Sequence, residues 1–333
     1  MPNQLRSAIR EVAASLLQKL PKAFFLFFLL GWLSSYLGRW YWCFDLATHF
    51  RLQYFAGGAA MTLVFLLCKQ WRWAALAFCC ALANGASVLP WHFPAAQVVA
   101  ARPDEQPLRL LFANVFFKNK RYEDFLALVK AEHPDLLFVQ EVTPPWAQTL
   151  ERLRGEYPHG VIEAATDAGG IAVLSRLPLN KAADAGLGEY NGPSLELQLD
   201  INGKPLTIVT AHTAPPMSQR RAQQRNEHLR LLAEHLRQLP APKLLIGDLN
   251  STMWSPYFAD FVAQADLLNA RAGFGVLPTW PTWQVFGNTV TVIPIDHCLV
   301  SRDIRVVNFR RVPYLGSDHL WLIVDLALPG AQH

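Results

Sequence analysis

Residues 247–256 read GDLNSTMWSP and follow the apolar run KLLI. Asp248 and Asn250 therefore sit two apart where a buried strand gives out. If the strand continues through them, side chains alternate and both polar groups point to one face. Carboxylate and carboxamide oxygens so placed suit a hard divalent ion such as Mg²⁺. Gly, Asp, Asn and Ser are also ordinary turn residues, so the stretch alone supports a turn as readily as a site. The same placement recurs, however. Asn114, Glu141, His212, Asp296 and the pair Asp318-His319 each fall in a strand-like run, at its end, or just before the next one. An unpaired charge in a core is strongly disfavoured, so repeating that placement suggests strand ends converging on one polar site. The residue types fit metal-assisted attack on phosphate. A His oriented by a carboxylate can deprotonate water near neutral pH, and a second His or an Asn can stabilise charge developing on phosphoryl oxygens.

The elements that must position these groups are short apolar runs interleaved with helical patterns. Strands are expected over 108–116, 135–142, 170–179, 195–201, 205–213, 243–250, 291–300 and 320–328. Asn202-Gly203 between two of them is a hairpin signal. Helical spacing marks 122–133, 143–156 and the long amphipathic stretch 218–239. Strands mixed with helices and hairpins over this length predict one α/β domain with two packed sheets. There is no internal repeat or low-complexity tract.

Upstream the chain is different in kind. Hydrophobic residues make up 52% of the whole, and three uncharged runs carry the excess: 23–38, 52–68 and 73–89. Each is close to the roughly 17–25 residues that a spanning helix needs, and WYW at 40–42 suits an interfacial aromatic belt. Three spans are expected, with two spans plus a re-entrant segment as the alternative. A cleaved signal peptide fits the first run less well, because a long region precedes it and no small-residue cleavage site follows. Arg6, Arg10, Lys19 and Lys22 precede the first run, and Lys69 and Arg72 fill the loop between the second and third. Basic residues favour the cytoplasmic side, which puts the N-terminus inside and everything beyond Leu89 outside. The expected organisation is a cytoplasmic segment 1–22, a membrane domain 23–89, a Pro-rich linker 90–107 and a catalytic domain 108–333.

Charge divides in the same way. Residues 1–100 carry eight Lys/Arg against Glu11 and Asp45, whereas 101–333 carry 22 Lys/Arg against 24 Asp/Glu. The basic balance belongs to the membrane flanks. A domain that binds nucleic-acid phosphates by counterion release normally has a basic surplus, so nucleic acid is disfavoured as a partner. The cysteines Cys43, Cys68, Cys79, Cys80 and Cys298 match no zinc or disulfide spacing and read as small buried residues.

The segments FANVF, LLFVQEV, GGIAVLSRLPL, TAHT, LLIGDLNSTMWSP, TWP, IDHCLVS and GSDHLWL occur in the order found in the endonuclease/exonuclease/phosphatase superfamily. The resemblance covers about 105–328. It implies a four-layer α/β sandwich, here preceded by three transmembrane helices. It also implies metal-dependent hydrolysis of a phosphate ester or anhydride with Mg²⁺, or Mn²⁺ in its place. By the same resemblance Glu141 is the principal metal ligand, with Asn114 beside it and Asp318 completing the metal and phosphate surroundings. His319 is implied as general base held by Asp296, Asp248 as the group that positions or activates water, Asn250 as a phosphate ligand, and His212 as the residue stabilising or protonating the transition state. Whether His319 or Asp248 takes the proton stays open. His297 would face the opposite side of its strand and is read as structural, and Ser175-Arg176 and Thr279-Trp280-Pro281 as braces.

The resulting expectation is a multi-pass protein of the inner membrane with an extracytoplasmic phosphoesterase. Membrane lipids would be its partners, and a phospholipid or an undecaprenyl pyrophosphate-like compound its substrate. The last step follows membrane-anchored relatives linked to glycopeptide resistance. Trp254, Phe274, Trp280 and Trp283 are candidates to hold an acyl or isoprenoid chain. The alternatives are a membrane-tethered nuclease and a catalytically inactive binding module of the same fold.

Overall fold

The computed structural model describes residues 19–94, 105–187, 193–201 and 203–329. Most of the segment expected to be cytoplasmic, the middle of the expected linker and Asn202 lie outside them. The chain divides into two units, Met1–Pro90 and Trp91–His333.

The first unit is helical: α1 (Lys19–Leu37), α2 (Trp42–Thr48), α3 (Arg51–Leu67) and α4 (Trp71–Val88). Two helices, Lys19–Leu37 and Trp71–His92, are long and apolar enough to cross a membrane. The middle run forms the 17-residue α3, which with α2 makes a pair bent by 63°. That leaves two candidate spans, or three if the bent pair is one broken span. Polar residues gather at the break: Asp45, Thr48, His49 and Arg51 are buried there. The Arg51 guanidinium donates to Asn84 Oδ1 of α4 at 3.2 Å. Helices α3 and α4 approach closely at Gly58, where an added Cβ would stand 2.9 Å from the Ala81 backbone nitrogen; small residues permit such contact between apolar helices. The outward faces remain apolar. Phe27 of α1 is 79% exposed and Leu67 of α3 is 75% exposed, the reverse of a helix packed in water.

Among its described residues the second unit carries fourteen strands, β1 (Gln106–Asn114), β2 (Leu136–Gln140), β3 (His159–Glu163), β4 (Ile171–Ser175), β5 (Lys181–Asp184), β6 (Ser194–Ile201), β7 (Lys204–Ala211), β8 (Lys243–Asp248), β9 (Leu268–Asn269), β10 (Trp283–Val285), β11 (Asn288–Val290), β12 (Asp296–Val300), β13 (Arg305–Arg311) and β14 (Leu322–Leu328). Its helices are α5 (Tyr122–Glu132), α6 (Pro144–Glu151), α7 (Gln219–Gln238) and α8 (Pro256–Ala265). One mixed six-stranded sheet runs β13-β14-β1-β2-β4-β3 and the other β5-β6-β7-β8-β12-β9, with β10 and β11 a separate pair. The sheets face each other through alternate residues. Leu108, Leu110 and Phe112 of β1 meet Ile208 of β7 and Leu244 and Ile246 of β8 in one core. The intervening residues Leu111 and Ala113 face α5 and α6 with Phe125, Val129 and Trp146. Helix α7 lies against the other sheet, where His228 meets the Ser194 hydroxyl of β6 at 2.8 Å. Ser218 caps α7 by accepting from Arg221 N. Helices outside two packed sheets give the four layers expected.

All eight expected strands form, and Ile201 pairs with Lys204 across the anticipated hairpin, with Gly203 at φ 80°. Strands β3, β5, β9, β10, β11 and β13 and helix α8 were not expected. β3 is only partly buried and β5 is largely exposed. α8 announces itself only by Ser255 as N-cap and Pro256 at its first turn.

Candidate active site

Every predicted site residue stands at a strand end or in one loop. Asn114 ends β1, Glu141 follows β2, His212 follows β7, Asp248 ends β8 and Asp296 begins β12. Strands β1 and β2 are parallel, as are β7 and β8, so their carboxyl ends lie side by side. Asp296 is register partner to Asp248 across the antiparallel β8–β12 pair. The loop before β14 supplies Asp318 and His319. It is anchored by Ser317, whose hydroxyl donates to Asn114 O at 2.7 Å and accepts from His319 N at 3.0 Å.

The contacts tie most of the set together. His319 Nδ1 lies 3.0 Å from Asp296 Oδ2. Its Nε2 faces Asp248 Oδ2 at 3.6 Å. Asn114 Nδ2 donates to Glu141 Oε1 at 3.1 Å and to Asp248 Oδ2 at 3.2 Å, spanning the two sheets. Glu141 Oε2 accepts from Phe117 N at 3.0 Å. His212 Nε2 is 3.7 Å from the same Asp248 oxygen. Asn250 behaves differently. The strand ends at Asp248, and Asn250 turns into the left-handed region at φ 45°. Its N–H donates to Asp248 Oδ1 and its side-chain amide to Thr213 O at 2.8 Å. Shared strand alternation therefore does not place it; a turn does. Glu141 and Phe116 are also left-handed, at φ 63° and 61°. Such backbone costs about 1–2 kcal/mol for a residue with a Cβ and gathers where surroundings over-determine it.

His297 is fully buried with Nε2 2.8 Å from Ser251 O, the structural role expected. Phe274 packs on Phe309 and the inter-sheet core and is not free to hold a lipid chain. Trp280 does border the site, donating from Nε1 to Asp318 Oδ2 at 3.2 Å. Three contributors escaped the sequence reading. Gln140 is fully buried and bridges the sheets: Nε2 donates to Ala211 O at 2.9 Å and Oε1 accepts from Asp248 N at 3.2 Å. Arg225 of α7 donates to Asn250 O at 2.9 Å, and Arg271 donates to Asp296 O. A Gln inside the apolar LLFVQ was the one available signal. Gly247 has no substitute, since a Cβ there would stand 2.0 Å from Ala211 O.

Electrostatics follow from burying several carboxylates together. Burial pushes Asp248 up to about 8, with the Asp296 charge adding to it. Burial works the same way on Asp296, but the His319 charge and hydrogen bond outweigh it and hold Asp296 below the usual carboxylate range. Burial opposes charge on His319 as well; Asp296, then Asp248 and Asp318, override it and raise His319 to about 10. On His212 burial and the His319 charge outweigh the opposing Asp296 charge and lower it to about 4. Asp318 is raised by burial and by the neighbouring Glu141 charge.

Asp248, Asp296 and His319 each offer a ligand atom within 4.8 Å of the others. The donor set fits a hard divalent cation. The buried Asp318 Oδ1 has no hydrogen-bond partner, and the Glu141 charge adds to the burial that raises both Asp248 and Asp318. A dication would relieve both conditions. Asn114 uses Oδ1 to accept from Phe116 N, so its amide, rather than its oxygen, faces the carboxylates.

Residues 111–319 match the model of the endonuclease/exonuclease/phosphatase family. The chain belongs to that family. Solved structures of the fold include D. rerio TDP2 complexed with a single-strand DNA product, at 16% identity and TM-score 0.55 over 66% of this chain and 99% of that one. The human Nocturnin catalytic domain with bound sulfate is 19% identical, TM-score 0.52, over 68% and 99%. The Bacteroides thetaiotaomicron mannosyl-6-phosphatase is 17% identical, TM-score 0.51, over 66% and 99%. A search of curated protein sequences found no match. Family members are hydrolases acting on phosphate esters, and the apolar helices lie outside the matched region.

Proposed function

We propose that this family member is a membrane-anchored, divalent-metal-dependent phosphoesterase whose substrate is a lipid-linked phosphate ester or anhydride. The observation that carries the reading is the joining of two units in one chain. One holds the His319–Asp296 pair facing Asp248, Asn114 and Glu141, and the other is a set of helices with exposed Phe and Leu faces. The substrate class is supported by the charge balance of residues 101–333, 22 basic against 24 acidic, which lacks the surplus of a nucleic-acid binder. The −1 to −2 charge of one phosphate needs no such surplus.

In this reading Glu141 and Asp318, with Asn114 oriented between the carboxylates, would hold the metal. A bound Mg²⁺ or Mn²⁺ supplies Lewis acidity toward the phosphoryl oxygens and lowers the pKa values of the acids around it. Asp296 fixes the His319 ring through Nδ1, leaving Nε2 toward Asp248 as the edge that shares a proton with it; His319, raised to about 10, would serve as base toward the attacking water only once a bound dication lowered it. His212, held neutral by burial, suits donation of a hydrogen bond to a phosphoryl oxygen and not proton delivery. Asn250 and the turn around it lie where the phosphate would be received. The N-terminus is assigned to the cytoplasmic side and the catalytic unit to the other, on the basic-residue bias.

A tethered nuclease is the second reading, favoured by the fold of D. rerio TDP2 with its DNA product. Full-length protein in detergent should release phosphate or headgroup from phospholipids or isoprenoid pyrophosphates with Mg²⁺, lose that activity in EDTA, and regain it on adding metal. Efficient plasmid nicking without turnover of any lipid phosphate would promote the nuclease. Full turnover in excess chelator would sink the metal chemistry.

A further inference from the structure

Between Trp280 and Ile293 the chain leaves both sheets and folds back as the two-stranded pair β10–β11. Phe286 and Gly287 form its turn, with φ of 49° and 79°, the double left-handed geometry of a tight hairpin. Glycine accepts that backbone and phenylalanine does not favour it, yet Phe286 stands there 99% exposed. Trp283, Val285 and Val290 are exposed beside it. Among the described residues of the second unit seven large hydrophobic side chains are exposed, and these four lie within Trp283–Val290. The exposure is thus concentrated, unlike the scattered single residues usual on a soluble surface. Residues 281–293, PTWQVFGNTVTVI, contain no ionisable side chain.

The root of the hairpin is tied to the site. Thr282 N donates to Asp318 O at 2.9 Å, and the Thr282 hydroxyl donates to Ser317 O at 2.8 Å. The same loop is held from another segment by Asn119, whose side chain donates to Leu315 O at 3.1 Å. Next to Asn119 come Phe116 and Phe117 with the Lys118 ammonium over both rings. An aromatic and basic rim therefore adjoins the loop that carries Asp318 and His319.

We propose that β10–β11 is an interfacial element that inserts Phe286 and its apolar neighbours into the headgroup boundary of a lipid bilayer. Three observations favour a bilayer over another occupant. The chain brings its own: Lys19–Leu37 and Trp71–His92 have membrane-spanning length and composition, and the ten residues 95–104 can extend only about 3.3–3.6 Å each. The chemistry is graded as an interface requires. Phe286 leads, Trp283 follows, and the polar Gln284 and Thr289 pair with each other at 2.9 Å behind the tip; Trp and its polar neighbours belong at headgroup level. The outer edges of a two-stranded pair also leave backbone groups without partners, which permits shallow seating but not crossing. A second copy of the chain is a poor occupant, because a stable protein interface buries about 800 Å² per partner and one eight-residue uncharged hairpin supplies neither that area nor a charge pattern to set register. Seated in this way, the hairpin holds the loop of Asp318 and His319 at the depth of lipid headgroups. The inference rests on the reading that the N-terminal helices lie in a bilayer, and is independent of which phosphate compound is cleaved.

The test uses photo-crosslinking in the full-length protein, reconstituted in vesicles of phosphatidylethanolamine and phosphatidylglycerol. Phe286→benzoylphenylalanine is compared with the same replacement at Met217, exposed on the second unit in the segment between β7 and α7, and at Phe27, exposed on α1. Mass spectrometry should find phospholipid adducts at 286 and 27 and none at 217. Adducts at 27 but not at 286 would overturn the hairpin proposal while leaving the membrane reading intact. Protein–protein adducts at 286 would replace the bilayer by a second copy, and equal labelling at 217 would overturn any special role for the hairpin. No lipid adduct at 27 would defeat the membrane reading, and this proposal with it.

Discussion

Replacing Gln140 tests whether the site depends on a strut between the two sheets. The side chain is fully buried and joins β2 to Ala211 O and Asp248 N, both on the other sheet. Gln140→Leu keeps the approximate shape but strands one backbone carbonyl and one backbone N–H. Each unsatisfied buried group costs about 1–3 kcal/mol, so a loss of about 3 kcal/mol is expected. For a unit of this size that lowers Tm by roughly 6–12 °C. Differential scanning fluorimetry on detergent-solubilised protein reads the shift. Turnover, measured well below the new Tm, should fall by about tenfold or more, since Asp248 loses its backbone anchor. Gln140→Glu separates the two contacts. It keeps an acceptor for Asp248 N, loses the donor to Ala211 O, and adds a carboxylate beside Glu141 and Asp248; its Tm deficit should shrink as pH falls and the new acid is neutralised. A Gln140→Leu protein melting within about 2 °C of wild type with unchanged turnover would refute the strut.

The remaining expectations concern charge. Burial, with His212 nearby, depresses His228 to about 4, below the about 6.5 of an unfolded chain. The unfolded state then binds the proton first, so this contribution is complete above about pH 6.5 and is lost as pH falls toward 4, a change of about 3 kcal/mol. His228→Gln should flatten the fall of Tm between pH 7 and pH 4 relative to wild type; an identical pH profile would contradict the assignment. His319→Ala and Asp296→Asn should each reduce kcat by about 10²–10⁴ while the chain still binds its phosphate substrate. Retention of a third of wild-type kcat in either would remove the pair from the chemistry.

Much of this protein was legible in its sequence because the relevant signals are local. Buried strands such as LRLLF and KLLIG declare themselves by apolar content, and their polar last residues could be read as converging. The apolar runs near the N-terminus were equally plain, since crossing hydrocarbon demands length and lack of charge. Three-dimensional packing decided what those signals cannot encode. The second run is preceded by a 63° bend between α2 and α3, where Asp45, His49 and Arg51 are buried; an apolar count does not register such a bend. Asn250 reaches the site through a left-handed turn held by Thr213 and Arg225, partners distant in sequence. Gln140 looked like a blemish in an apolar strand, and only the facing of two sheets turns it into a bridge. The hairpin at Trp283–Val290 was invisible as an element because its apolar residues stay exposed and join no core, and exposure is a property of the folded surface alone. Residue types and order therefore determined the family, the buried strands that carry the candidate acids and bases, and those residues themselves. Which atom of each faces which neighbour, and which apolar residues remain outside the core, depended on contacts between segments distant in sequence.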